Sequence, residues 1–152
     1  MRFITRAIVA GMSIVMAMAS LATASLAQAP AKSLKDQVVG HWQLVSVTVN
    51  DTASYGANPQ GSMFVDAGGH FAVIVISSGD AGSIAYFGTF VLNDADKSGT
   101  GHIEGVVGGS GTAVSEHDEK RSLSLNGDEL TVQSQTPSGG LGSVKLTWKR
   151  AD

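Results

Sequence analysis

Short connections constrain this chain more than anything else in it. Apolar, β-branched segments recur along the sequence, and residues that turn the backbone sharply separate them. Residues 55–76, YGANPQGSMFVDAGGHFAVIVI, are the clearest case. Residues 63–65 and 71–76 have the β-branched and aromatic content of strands. Gly68 and Gly69 between them supply the positive φ that a hairpin turn needs. The rest of the chain repeats this grammar. Strands are expected at 41–49, 63–65, 71–76, 83–92, 98–107, 120–125, 129–135 and 143–150. Gly88 in the middle of the fourth suggests a bend or bulge. Asn126-Gly127-Asp128 is a strong hairpin signal. Ser33 can cap a short helix over 34–39, ended by Gly40.

Connections this short leave no room for crossover helices, so the strands form an antiparallel meander. Eight is the number at which such a meander closes into an up-and-down barrel able to hold one small ligand. The expected fold is therefore all-β, an eight-stranded antiparallel up-and-down barrel with a short N-terminal helix. A two-sheet sandwich is the alternative; regular hairpin spacing without a Greek-key connection favours the barrel. The 19 glycines of the 152 residues fit many tight turns rather than helices.

The first 27 residues have a different character. Arg2 and Arg6 precede an uncharged apolar run at 7–21, and small-x-small patterns follow at 22–24 and 25–27. That pattern is a signal peptide, with cleavage expected after Ala27. A membrane anchor is the competing possibility, but the run falls short of the roughly 20 residues that a span requires. Residues 28–152 are then one domain, periplasmic or secreted. The chain has no cysteine, hence no lipid-modified N-terminal Cys and no disulfide. The formal net charge is −3, and it becomes more negative once Arg2 and Arg6 are removed. An acidic domain without a basic patch is a poor partner for nucleic acid or anionic membrane surfaces. The sequence does not fix the oligomeric state.

The order of segments resembles the bacterial lipocalin-like domain family, small exported barrels of largely unassigned function. The matching segments are GHWQLVS at 40–46, the stretch 55–76, AYFGTF at 85–90, HIEG at 102–105, Lys120-Arg121, GDELT at 127–131 and WKR at 148–150. They span nearly all of the expected mature chain. Residues 108–118 depart from the pattern, where the family carries a Pro-Asn-Trp-like stretch. In lipocalins a basic residue of the last strand covers the Gly-x-Trp tryptophan, so the resemblance implies Arg150 over Trp42. The meander agrees, because both residues fall at the end with the tight turns. The long connections share the other end, the expected mouth.

Arg121 is the sharpest candidate for ligand recognition. It alternates in phase with Leu123 and Leu125 and so points inward, near the expected mouth. A guanidinium there suits a carboxylate or phosphate; a rim arginine paired with Glu119 or Glu116 in solvent is the plainer possibility. His102 and Glu104 lie two apart and share a face, as a metal or acid–base pair requires. A metal would need a third ligand, for which His70 is the obvious candidate. A polar pair near the narrow end is the simpler assignment. Tyr55, Phe71, Tyr86 and Phe90 could line the lumen, with Phe64 and Ile74 in or beside the core. His117, in the acidic run 116–119, is expected in a solvated loop. No catalytic Ser/His/Asp motif, phosphate loop or dinucleotide fingerprint occurs. Residues 108–111, GGSG, lack the helix and lysine of a P-loop.

The expected function is binding of a small hydrophobic or amphipathic ligand, with no cofactor, no metal and no stable membrane anchor. One alternative is a barrel isomerase or cyclase using His102 and Glu104. The other is a filled barrel serving as a structural or interaction domain.

Overall fold

A computed structural model describes residues 32–78, 82–108, 116–135 and 142–151. The expected leader and parts of the loops expected at 77–82, 108–115 and 136–142 lie outside the described residues. A short helix α1 (Leu34–Val38) precedes nine strands: β1 (Gly40–Val49), β2 (Thr52–Ser54), β3 (Gln60–Val65), β4 (His70–Ile76), β5 (Ile84–Asn93), β6 (Ser98–Gly108), β7 (His117–Asn126), β8 (Glu129–Ser134) and β9 (Val144–Arg150). Every pairing is antiparallel. From β3 to β9 each strand pairs with its successor, and β9 pairs back onto β1. That seam closes an eight-stranded barrel and leaves β2 as an extra strand.

The eight-strand expectation missed β2, because Asn50-Asp51 is itself a hairpin turn. Both residues hold positive φ, 50° and 60°, the geometry a two-residue hairpin loop demands. The turn sets Val49 opposite Thr52. Asn50 also ties the turn to the start of β9: its Oδ1 accepts from Ser143 N at 3.0 Å, and its own N donates to Ser143 O at 2.8 Å. The β3–β4 turn is held by Asp66, whose carboxylate accepts from His70 N at 2.8 Å. That backbone hydrogen bond draws the Asp66 pKa below its ordinary value.

Bulges set which residues face the lumen. In β1 the pairing with β9 shifts between Leu44 and Ser46. Trp42 and Leu44 point inward before the shift and Val47 after it, leaving Val45 on the outer face. In β6, Glu104 is the inserted residue: Phe87 pairs with Gly105 and Gly88 with Ile103. Gly88 is needed there, since a Cβ would lie 1.9 Å from His102 O. Phe64, Ile74 and Phe87 are on the outer wall, 49%, 42% and 53% exposed. This corrects the expectation that Phe64 and Ile74 lie in or beside the core. Strands β3 and β4 are apolar on both faces, so alternation alone did not reveal their phase.

The core gathers at the end where α1 lies. Leu34, Val38, Trp42, Met63, Leu130 and Trp148 are all buried there or just inside it. Trp42 is fully buried, and its indole Nε1 donates to Val38 O at 2.8 Å. The Arg150 guanidinium lies 4.2 Å from the Trp42 ring centroid and donates to Val39 O at 3.1 Å and Gln37 O at 2.6 Å. Those carbonyls end the helix and have no helical partner, so one cation stacks on the tryptophan and caps α1 at once. At the other end of α1, Leu34 N donates to Asp94 Oδ1 of the β5–β6 turn at 2.8 Å. Among the described residues no helix is long and apolar enough to cross a membrane.

Candidate functional site

The inner face of β7 builds the site. Its alternation places His117, Glu119, Arg121 and Leu123 toward the lumen, while Asp118 stands outside with its side chain 68% exposed. His117 therefore belongs to a strand, correcting the loop expectation. The reason lies across the sheet, where residues 98–103 of β6 pair with residues 117–122. With β7 beginning at His117, Arg121 sits about 13 Å along the strand. It is thus deeper than the mouth at which it was expected.

The strand opposite makes room for these charges. Gly99 pairs with Arg121 and Gly101 with Glu119. At Gly101 a Cβ would meet nothing nearer than Phe71, at 3.7 Å. These glycines weakened the strand signal in the sequence because they face the lumen, where larger side chains would fill it.

Among the described residues, two cavities lie in the interior. One, of about 100 Å³, lies toward α1 among apolar side chains including Val38, Met63, Phe71, Phe90 and Leu130. The other, of about 260 Å³, lies toward the long connections and is bordered by Tyr55, Ile84, Val106, His117 and Val144. Tyr86, Ile103, Glu119 and Arg121 border both and form a waist between them. At the waist Arg121 Nη2 donates to Glu119 Oε2, with the two side chains only 17% and 19% exposed. Glu119 Oε1 lies 3.3 Å from His117 Nε2. Arg121 Nη1 is buried and has no hydrogen-bond partner among the described residues.

Tyr86 completes the waist. Its ring meets Phe71 edge-on at 6.0 Å between centroids, and Phe71 in turn packs against Phe90 at 6.4 Å. Burial pushes the phenol up to about 12, partly countered by the nearby Arg121 charge. The hydroxyl therefore stays protonated at any ordinary pH and can donate a hydrogen bond. Tyr55 holds φ 64° at the border of the larger cavity, its carbonyl accepting from Ser78 N at 3.3 Å.

Of the seven residues singled out from the sequence, Arg121, Tyr55, Phe71, Tyr86 and Phe90 border the lumen. His102 and Glu104 do not. Ile103 between them is buried, which turns its neighbours outward. The His102 ring is bound to Asp118 on the outer wall, Nδ1 to Oδ1 at 2.8 Å, and that hydrogen bond raises its pKa. The pair thus lies outside the cavity in which an isomerase or cyclase would work. Among the described residues no group of three or more His, Cys, Asp or Glu could hold a metal ion. Sequence reasoning missed Glu119 as an inward residue, although its spacing of two from Arg121 carries the signal.

The chain matches no protein-family model, no curated protein and no solved structure.

Proposed function

We propose that the chain is an exported, lipocalin-like barrel that holds a small apolar or amphipathic molecule in its lumen. The observation that carries this reading is the pair of cavities inside a closed barrel, walled by apolar side chains and interrupted by one polar waist. Together, at about 100 and about 260 Å³, they exceed the roughly 300 Å³ at which small-molecule sites begin. A filled barrel would have its core side chains meeting across the axis at near-crystalline density. The N-terminal pattern of Arg2, Arg6, the apolar run and the small residues before Gln28 supports export.

The test is a fluorescence titration with phenylnaphthylamine, a neutral fluorophore that brightens in apolar surroundings. Wild-type protein should bind it saturably. Val106→Trp, which fills the larger cavity, should weaken binding. Absence of saturable binding, or equal binding by the filled variant, would refute the proposal. Export is tested separately by N-terminal sequencing of protein from the extracytoplasmic fraction, which should start at or within a few residues of Gln28. An intact Met1 in soluble exported protein would overturn it.

A further inference from the structure

We propose that the lumen selects an uncharged ligand with a carbonyl oxygen, such as a ketone or ester, over the corresponding carboxylate. This rests on the reading of the barrel as a small-molecule carrier and narrows its ligand class. An inward arginine alone would favour an anion. Here Glu119 already occupies one side of the guanidinium, so the pair carries no net charge. A carboxylate placed at the waist would stand beside the Glu119 carboxylate, and like charges repel strongly where water is excluded.

Hydrogen bonding supplies the attractive half. Arg121 Nη1 is a buried donor with no partner among the described residues. A donor held that way favours any acceptor that reaches it. Tyr86 borders the same two cavities, and its hydroxyl remains a donor. A carbonyl oxygen carries two lone pairs and no proton, so it can accept from both without bringing a charge. On each side of the waist the walls turn apolar, through Phe71, Phe90 and Leu123 one way and Ile84 and Val144 the other. The ligand is thus a short apolar molecule with its carbonyl near the middle or at one end.

The experiment displaces phenylnaphthylamine with methyl heptyl ketone and with nonanoate, which match in chain length and differ in charge. Wild-type protein should prefer the ketone by about tenfold, the equivalent of one hydrogen bond gained without a repelling neighbour. Glu119→Gln frees the guanidinium charge and should reverse that preference toward nonanoate. Equal displacement by the two compounds, or a wild-type preference for nonanoate, would overturn the inference while leaving the carrier reading intact. So would a Glu119→Gln variant that folds and keeps the wild-type ratio. If neither compound nor the fluorophore binds, both fall. Should Glu119→Gln not fold, the wild-type comparison decides alone.

Discussion

Arg150 and Arg121 approach the same lumen from its two regions, and their donors end up in opposite states. Arg150 lies over Trp42 and gives Nη1 and Nη2 to the last carbonyls of α1. Arg121 gives Nη2 to Glu119 and leaves Nη1 buried with nothing to bind among the described residues. At the α1 end the chain itself satisfies Nη1 and Nη2 of its arginine. The waist is not complete. The two arginines look alike in sequence, each inward and each near aromatic rings. What distinguishes them is whether the chain satisfies their donors.

That contrast breaks most visibly at Trp42. Trp42→Ala empties the fully buried centre of the α1 end and should destabilise the fold by about 3–5 kcal/mol. Denaturant unfolding that shows no loss would mean the α1 end does not hold the barrel together. Arg150→Ala should come next, at about 2–3 kcal/mol, since it removes charge-assisted bonds to two carbonyls as well as the cation–π contact. Its partial exposure, 33% of the side chain, keeps the effect below that of the tryptophan.

At the waist the expectation is different. Replacing both partners together, Arg121→Met with Glu119→Gln, should change stability by no more than about 1 kcal/mol, because an ion pair shielded from water contributes little net stability over neutral packing. Arg121→Met alone should cost more than the double variant, since it strands the Glu119 carboxylate. A double variant that loses as much as Arg150→Ala would erase the contrast between the two regions.

The smallest effect lies outside the barrel. The Asp118 hydrogen bond raises the His102 pKa above its ordinary 6.5. A raised folded value means the contribution to stability is fully present below about 6.5 and is lost as pH rises through the folded value. An NMR titration of the His102 ring should show the elevated midpoint, and Asp118→Asn should bring it back toward the ordinary value. An unchanged midpoint in Asp118→Asn would mean that some other group holds the imidazolium.

The barrel was legible because its signals are local. Gly69 and Gly127 carry positive φ at the turns where the sequence placed hairpins, and the Gly88 irregularity falls where the register with β6 shifts. Arg121 was legible through its phase with Leu123 and Leu125. His102 and Glu104 were misplaced, although the apolar Ile103 between them already pointed the other way. Phe64 and Ile74 could not be placed from local pattern, since their neighbours Met63, Val65, Val73 and Val75 are apolar too. The Arg121–Glu119 pair was half legible. Glu119 was named as a partner, but the run 116–119 looked like solvated charge, which hid the inward phase that Glu119 shares with Arg121 two residues on.

The seam between β1 and β9 has a kinetic consequence. The other barrel pairings join neighbours along the chain, so their loops are short and close in microseconds. The seam alone joins the two ends of the domain, with Trp42 opposite Arg150. Its loop-closure entropy is the largest in the molecule, so it should form after the hairpins have folded. Arg150→Ala should then accelerate unfolding by most of its stability loss and leave refolding nearly unchanged. A chevron plot in which the refolding limb drops instead would place the seam in the folding nucleus.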